Sequence, residues 1–302
     1  MYDLITIGGI SIDMYYRGDS LTQKDGRFAL AMGGKYLVDH FYSGLGGGAA
    51  NVAIGVQKHG YKTAVVGKIG NNPFKKMVLE HLESNGVSDK LCRFDDDYMK
   101  ISSILLSASG ERTIIHYETP HERILNSVED IHLFEKAKVL YMSNLWRVPI
   151  DERERVLSHA HASRVMTIVN LGIADCRRPI DQIRGLLKHV DILIVNTHES
   201  AELLKEPFAR IDWKADITKN VTYLEDKLVI VTDGVKGSYA YSNGSIHHEK
   251  AVPVSHVIDT TGAGDAYSAG FIAGYLKDKN IEHSMKLGAK HGALIVQKMG
   301  AN

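Results

Sequence analysis

The chain has 302 residues, of which 44% are hydrophobic and 24% charged, a composition typical of globular proteins. Basic and acidic residues number 36 each, so the formal net charge is zero. This balance argues against binding to nucleic acid or to an anionic membrane. Residues 1–13 carry neither a basic leader nor an apolar run of membrane-spanning length, and the two cysteines have no ligand spacing. We therefore expect a cytoplasmic protein.

Fifteen histidines are present, enough in principle for a metal site. They are scattered along the chain, and His247 and His248 are adjacent rather than separated by a spacing that suits metal ligands. The sequence therefore predicts no metal site built on histidine.

Short apolar runs rich in β-formers alternate with amphipathic stretches along the chain. The runs predict strands at residues 4–7, 63–66, 139–142, 165–169, 192–195 and 228–231. The amphipathic stretches predict helices at residues 50–58, 74–85, 151–162 and 199–205. Because the strand segments are continuously apolar, both faces of their sheet should be buried. The pattern predicts an α/β, doubly wound fold with a mostly parallel sheet flanked by helices.

Two stretches interrupt this alternation. The first, from about residue 15 to 43, contains strand-like segments at 28–32 and 35–42 with no helix between them. The second, from about 100 to 118, has segments at 101–107 and 113–117 around a turn at 108–111. We predict that these strand pairs form a small β-sheet lid inserted into a single domain of residues 1–302. The alternative is that they extend the edge of the main sheet.

The segment 257–270 is the most informative part of the chain. Gly262 and Gly264 allow a tight turn, and a helix is expected directly after it, so backbone N–H groups there suit a phosphoryl oxygen. Asp265, in the first helical turn, would then lie where it accepts a proton from an attacking hydroxyl. The alternative is an ordinary helix cap after a glycine turn.

At this point the sequence resembles the PfkB/ribokinase family of carbohydrate kinases. Its C-terminal signature is matched by residues 259–265, DTTGAGD, followed by AYSAGF. The N-terminal signature is matched by the glycine-rich residues 44–51, GLGGGAAN, followed by a helix and VGKIG at 66–70. Together the two motifs span most of the chain in the order that the family uses. The resemblance implies a ribokinase-like fold and ATP-dependent phosphorylation of a sugar hydroxyl.

The resemblance also implies roles at the phosphate end. Asp265 would be the catalytic base, and the backbone of Gly262, Ala263 and Gly264 would form the anion hole. Asn196 and Glu199 resemble an NxxE element that organises Mg²⁺ and phosphate through water. Read without the family, the same two residues form a helix-capping pattern.

Further residues of this end match positions around the nucleotide. Thr232, Gly234 and Gly237 resemble a segment that lines the nucleotide site, although a plain glycine turn into the next strand explains them equally well. Asp259 and Thr261 match positions that hold a monovalent cation, K⁺, in some relatives.

At the acceptor end, Asp13 is expected to close the first strand, where its carboxylate suits two adjacent sugar hydroxyls. The resemblance implies that Asp13, Gly46, Gly47 and Asn51 bind the sugar. The chain departs from ribokinases proper in two places. Residues 46–51 read GGGAAN where ribokinases typically read GGKGAN, and residues 143–149 read SNLWRVP where many relatives have a GSLPPG-like turn.

Several alternatives stay open. A nucleoside would satisfy Asp13 and Asn51 equally well, with Trp146, Tyr36 or Tyr42 facing the base. A sugar phosphate is a third kind of acceptor, with phosphate partners among Lys35, Arg112 and Arg147.

Two other classes of protein compete with the kinase. A dinucleotide-dependent oxidoreductase is suggested by a G-x-G-x-x-A match at residues 44–49, but no acidic residue ends the strand at 63–66. A non-catalytic sensor on the same scaffold is the other, and the presence of Asp265 and Glu199 argues against it. Apolar side chains on the lid strands also predict a homodimer formed through the lid.

Overall fold

The computed structural model describes residues 1–107, 112–120, 123–125, 127, 129–145 and 147–302. The strands are, in chain order, β1 (Tyr2–Ile7), β2 (Ser11–Arg17), β3 (Gln23–Lys24), β4 (Arg27–Phe28), β5 (His40–Gly46), β6 (Thr63–Val66), β7 (Lys68–Gly70), β8 (Arg93–Asp95), β9 (Lys100–Leu106), β10 (Arg112–Glu118), β11 (Ala137–Met142), β12 (Met166–Asn170), β13 (Ile192–Asn196), β14 (Leu228–Thr232), β15 (Ser238–Ser242) and β16 (Ser245–Glu249). The α-helices are α1 (Gly48–Gln57), α2 (Lys75–Ser84), α3 (Ile150–Ala162), α4 (Ile173–Cys176), α5 (Ile180–Leu187), α6 (Thr197–Leu204), α7 (Ala263–Asp278) and α8 (Ile281–Ile295). Short 3₁₀ segments lie at Glu129–Lys136, Phe208–Arg210 and Gly234–Lys236.

The large sheet has eight strands in the order β16-β15-β14-β13-β12-β11-β1-β6. Six neighbouring strands, from β6 to β14, are parallel, and β15 and β16 are added antiparallel at one edge. The strand order reverses beside β1, the arrangement of a doubly wound sheet, in which ligands bind at the carboxyl ends of the strands. The α/β prediction is therefore confirmed, as are all six predicted core strands and four predicted helices to within a few residues.

Both faces of the large sheet are buried, as the apolar strand segments predicted. Along β1, Leu4 packs with α1, α7 and α8 on one face. Its neighbour Ile5 packs with α3 and α5 on the other face. Side chains alternate across a strand, so one apolar run supplies two cores.

A separate four-stranded sheet, which we call the small sheet, has the order β10-β9-β2-β5. The prediction of a small sheet distinct from the main one is confirmed, and the edge-extension alternative is wrong. The strand pair expected at residues 28–32 and 35–42 is also wrong, because the paired strands are β2 and β5, which run antiparallel with Ser11 opposite Gly46. Residues 28–32 have a strand-like composition, but of these only Phe28 belongs to a strand, in the two-residue ladder of β3 and β4. The turn at 108–111 lies outside the described residues.

Large apolar side chains are exposed on the small sheet, including Phe41, Ile115 and Tyr117. They are the feature on which the homodimer prediction rests, and that assembly stays a prediction. Among the described residues, no helix is both long and apolar enough to cross a membrane.

Three helices approach one another unusually closely next to the sheet. A Cβ added at Gly55 of α1 would lie 2.5 Å from the Cβ of Ala269 on α7. A Cβ at Gly270 would lie 2.6 Å from the carbonyl oxygen of Leu287 on α8. Real Cβ atoms do not come this close, so only glycine lets α7 pack against both of its neighbours. As a result, the N-termini of α1 and α7 lie side by side.

A pair of histidines connects the residue segment after α1 with α8. His59 follows α1 and His291 lies on α8, with their Nε2 atoms 2.7 Å apart and their rings stacked. Burial, together with the charges of His59 and Lys58, lowers the pKa of His291 to about 4. Burial also lowers the pKa of His59. The folded protein therefore favours the neutral pair.

We expect the free energy of unfolding to fall as the pH drops from about 6.5 towards 4. The pKa of His291 is lower in the folded protein than in the unfolded chain, so its contribution is complete above the unfolded pKa and is lost on acidification. Because water screens this partly exposed pair, we expect the free energy of unfolding to fall by on the order of 1 kcal/mol between pH 7 and pH 5. Urea unfolding at both pH values checks this, with His291→Phe compared with the exposed His256→Phe as a control. Equal pH dependence in the two variants would contradict the assignment.

Candidate active site

The site is built around the start of α7. Gly262 precedes the helix with φ of 75°, a left-handed conformation that favours glycine, and Asp265 lies in the first turn. The Nδ2 atom of Asn51, on α1, donates a hydrogen bond of 2.7 Å to Oδ2 of Asp265. Burial raises the pKa of Asp265, the charge of Asp13 raises it further, and the Asn51 hydrogen bond opposes both effects. The two signature motifs, 214 residues apart in sequence, therefore meet in one hydrogen bond.

Two clefts meet at this point. The first, which we call the polar cleft, has a volume of about 440 Å³ and lies between the large sheet and the small sheet. The second, the loop cleft, has a volume of about 580 Å³ and lies over the carboxyl ends of β12, β13 and β14. Asp265 and Asn170 line both clefts. A group on Asp265 is thus accessible from either side.

Asp13 lies on the floor of the polar cleft. It stands in the middle of β2, in the small sheet, and does not close the first strand as the sequence suggested, because β1 ends at Ile7. Its Oδ1 atom accepts a hydrogen bond of 3.0 Å from the Ser11 hydroxyl. Burial raises the pKa of Asp13, while hydrogen bonds from Ser102 and Ser11 oppose the rise. A buried carboxylate held by hydroxyl donors is suited to receive further hydroxyl groups.

The glycines of the N-terminal motif are close to Asp13 in different ways. Gly47 lines the polar cleft with φ of 92°, and a Cβ there would lie 2.4 Å from the carbonyl oxygen of Gly9. Gly46 is not among the residues that line the cleft. A Cβ at Gly46 would lie 1.9 Å from Oδ2 of Asp13, so this glycine leaves room for the carboxylate.

Sequence reasoning missed a group of charged and polar residues from the small sheet. Lys100 and Ser102 on β9, with His116 and Glu118 on β10, line the same cleft. Glu118 is only 8% exposed, and Lys100 Nζ lies 3.1 Å from its Oε1 atom. The cross-strand register pairs Ser102 with His116 and Lys100 with Glu118. The sequence feature that could have revealed them is the alternation of polar residues in the two strands, which places these side chains on one face of the sheet.

The side chains proposed as partners for a base or a phosphate are distributed differently. Tyr42 packs against Tyr15, with ring centroids 5.7 Å apart, and Tyr36 accepts a hydrogen bond from the Ala31 N–H, so neither lines the polar cleft. Lys35 is exposed. Arg147 lines the cleft, with Nε 3.7 Å from Oε2 of Glu118. Arg112 hydrogen-bonds to Thr260 Oγ1. Trp146 lies outside the described residues.

In the loop cleft, Asn196 and Glu199 form a complete capping box at the start of α6. Asn196 Oδ1 accepts from the Glu199 N–H at 2.9 Å, and Glu199 Oε2 accepts from the Asn196 N–H at 2.8 Å. Burial raises the pKa of Glu199. The capping interpretation is thus correct, and it fixes the Glu199 carboxylate at the edge of the cleft.

A third cavity, the apolar slot of about 290 Å³, lies beside the loop cleft. Thr232, Gly234 and Gly237 line it, together with apolar residues of the following loop and of α8: Ala251, Val252, Val254, Val257, Ala289, Ala293 and Val296. Gly237 has φ of 102°, and a Cβ there would lie 2.0 Å from the carbonyl oxygen of Glu249. Thr232 and Gly234 line both the slot and the loop cleft, whereas Gly237 lines the slot.

Asp259 and Thr261 lie behind the loop that leads into α7. Asp259 is fully buried and accepts from the N–H groups of Thr261 at 2.8 Å and Gly300 at 3.2 Å. The Thr261 hydroxyl oxygen is buried with no hydrogen-bond partner among the described residues. Asp259 thus links the loop to the backbone at Gly300, and the Tyr15 hydroxyl is a neighbour of the Thr261 hydroxyl.

With this geometry in place, comparison with known proteins defines the class. Residues 3–302 match the pfkB family carbohydrate kinase model, so the chain belongs to that family. It is a carbohydrate kinase, a phosphotransferase with an alcohol group as acceptor, and not an oxidoreductase.

Particular relatives share most of the chain. Fructokinase-2 of Oryza sativa subsp. japonica is 30% identical over 284 residues, which cover 86% of this chain and 82% of the relative. The adenosine kinase of Sinorhizobium meliloti superposes with a TM-score of 0.79 at 25% identity, covering 100% of this chain and 95% of that one. Arabidopsis thaliana ribokinase, solved with ribose and ATP, gives 0.80 at 24% identity, with 99% and 94% covered. The predicted ribokinase-like fold is confirmed.

Gly262→Ala should reduce the free energy of unfolding by about 1–3 kcal/mol more than Gly244→Ala. Both glycines have nearly the same φ, 75° and 76°, so both substitutions carry the same backbone strain. Only at Gly262 does the new methyl group meet a neighbour, the Cβ of Ala301 at 2.4 Å, whereas nothing lies within 4 Å at Gly244. Urea unfolding of the two variants measures the difference. Equal losses would mean that the loop does not pack against residue 301 in this way.

Proposed function

We propose that this kinase transfers a phosphoryl group from ATP to a hydroxyl of a sugar or sugar-like acceptor, with Asp265 as the catalytic base. One observation carries the proposal: the half-buried Asp265 lines both the polar cleft and the loop cleft. A base with one cleft for the acceptor and another for the donor is what direct transfer between two bound substrates requires.

The polar cleft is the proposed acceptor site. Asp13 accepts hydrogen bonds from two sugar hydroxyls, and the amide of Asn51 both donates and accepts beside them. The backbone at Gly47 lets the sugar approach closely, and Gly46 keeps the Asp13 carboxylate in place. Lys100 and Glu118 extend hydrogen bonding to the far end of the sugar, from a sheet that acts as the lid and excludes water.

The loop cleft and the apolar slot are the proposed donor site. The adenine ring lies in the apolar slot, against the wall made by Thr232, Gly234 and Gly237. The phosphates lie along the loop cleft towards the start of α7. Asn196 and Glu199 would hold the water shell of an Mg²⁺ ion bound with the ATP, and that ion would neutralise phosphate charge. Their fit rests on the Glu199 carboxylate, fixed at the cleft edge with a second oxygen available to water.

Transfer then follows from the first turn of α7. Asp265 removes the proton from the acceptor hydroxyl as its oxygen attacks the terminal phosphorus of ATP. The backbone N–H groups of Gly262, Ala263 and Gly264 receive the charge that develops on the phosphoryl oxygens, with the helix dipole behind them. The Asn51 hydrogen bond lowers the pKa of Asp265 and so opposes the rise that desolvation causes.

A monovalent cation such as K⁺ is proposed beside Asp259 and Thr261. The buried, unpartnered hydroxyl oxygen of Thr261 supports it, because alkali cations bind to oxygen atoms released from other partners. Such an ion would stiffen the loop that carries the anion hole.

Among acceptors, a sugar fits this cleft better than a nucleoside. Neither Tyr36 nor Tyr42 lies where it could stack on a base. The cleft instead presents charged and hydroxyl groups, including Asp13, Ser102 and Arg147, although Ile114, Leu145 and Val148 also line it. Arg147 is the residue that would meet an acidic or phosphorylated substituent of such a sugar.

Asp265→Asn should lower turnover by about 10²- to 10⁴-fold and leave ATP binding nearly unchanged, because the amide cannot take the proton. The measurement is ADP release by the purified protein with Mg²⁺-ATP against panels of free sugars, sugar phosphates and nucleosides. The variant serves as the blank, and Asp278→Asn, an exposed aspartate on the far end of α7, is the matched control. Turnover by Asp265→Asn at nearly the wild-type rate would refute its role as the base.

Asn51→Leu should move the acid limb of the pH–kcat profile to higher pH. The Asn51 hydrogen bond lowers the pKa of Asp265, so its removal raises that pKa, and a larger share of the base is protonated at a given pH below neutrality. Activity should therefore fall more at pH 6 than at pH 9. The profile is measured with saturating acceptor, since Asn51 also binds it. A loss that is uniform across the pH range would contradict this coupling.

A further inference from the structure

A histidine cluster lies outside the sets of residues that line the two clefts. His132 and Glu135 are on the 3₁₀ segment Glu129–Lys136, and His159 is in the last turn of α3, against which that segment packs. His132 Nδ1 and His159 Nε2 each lie 2.7 Å from the same atom, Oε1 of Glu135. The two imidazole rings meet edge to face, with centroids 4.9 Å apart.

The three groups converge as ligands of one ion would. Their donor atoms all lie within 4.8 Å of one another. Zinc bonds of 2.0–2.1 Å in tetrahedral geometry place donor atoms roughly 3.3 Å apart. Each nitrogen, now 2.7 Å from Oε1, would therefore move away from the carboxylate by about half an ångström, and the two nitrogens, within 4.8 Å of each other, would move closer together. His132 and Glu135 have side chains 65% and 43% exposed, which gives them this freedom and leaves room for a water ligand.

We propose that His132, Glu135 and His159 bind one divalent transition-metal ion of the Zn²⁺ class. Two imidazole nitrogens and one carboxylate oxygen favour zinc, copper, nickel or cobalt over magnesium and calcium, which prefer all-oxygen ligands. The sequence did not reveal the site, because Glu135 and His159 are 24 positions apart and belong to different elements.

The location defines what the ion would do. The 3₁₀ segment lies on the connection from β10, at the edge of the small sheet, to β11 in the large sheet. An ion held between this segment and α3 would clamp the connection onto the large-sheet body without contacting either substrate. The ion is therefore a stabilising one, and the chemistry at Asp265 does not depend on it.

Metal titration of the chelator-treated protein, without nucleotide, tests the proposal. We expect the wild type to bind one more equivalent of Zn²⁺ than His132→Ala/His159→Ala, and to gain on the order of 5 °C in Tm at saturating metal where the variant gains none. Co²⁺ in place of Zn²⁺ should give visible absorption bands in the wild type only. The matched control is His247→Ala/His283→Ala, which removes two other histidines paired with carboxylates, Glu282 and Asp278.

Each outcome bears on the site. The control should keep the extra equivalent and the Co²⁺ spectrum, and all proteins should have the same Tm in chelator, since the cluster is at the surface. Glu135→Gln, which preserves volume and both histidines, should weaken Zn²⁺ binding at least tenfold and provides a test if the double variant is poorly folded. Equal stoichiometry and affinity in wild type, double variant and Glu135→Gln would overturn the proposal.

Discussion

The hydrogen bond from Asn51 to Asp265 is the contact on which the site depends. It forms because α1 and α7 pack in close contact. At Gly55 and Ala269 the backbones of α1 and α7 come so close that no larger side chain fits between them. This close contact brings both helix N-termini to the same place, at the carboxyl ends of the parallel strands. The positive ends of two helix dipoles then face the space that we propose holds the phosphates.

The polar cleft is built from residues of both the large sheet and the small sheet. Asp265, Asn51 and Asn170 belong to the large-sheet body, whereas Asp13 and the Lys100–Glu118 pair belong to the small sheet. About a third of the residues that line the polar cleft therefore belong to a sheet with its own hydrogen-bonding ladder. A ligand that bridges the cleft must contact both units at once, and its binding energy depends on how the two sheets are placed relative to each other.

Much of this arrangement could be predicted from sequence where the signal is local. Continuous apolar runs predicted the core strands, and the glycines at 262 and 264 predicted the loop before α7. Strand pairing is not local, which is why residues 28–32 were wrongly assigned and why Asp13 was placed at the end of β1 instead of within β2. Lys100, His116 and Glu118 were missed because their meaning depends on a cross-strand register that no single segment contains.

The separation of Asn51 and Asp265 also has a consequence for biosynthesis. The amide and the carboxylate are 214 residues apart, so α1 leaves the ribosome long before its partner exists. At roughly 5–20 residues per second, the N-terminal half waits on the order of 10–40 s for α7. During that interval the face of α1 around Gly55 lacks the helix that covers it in the folded protein. With Asp265 as the proposed base, the nascent chain would stay inactive until late in translation, and its early half is the part that a chaperone would have to shelter.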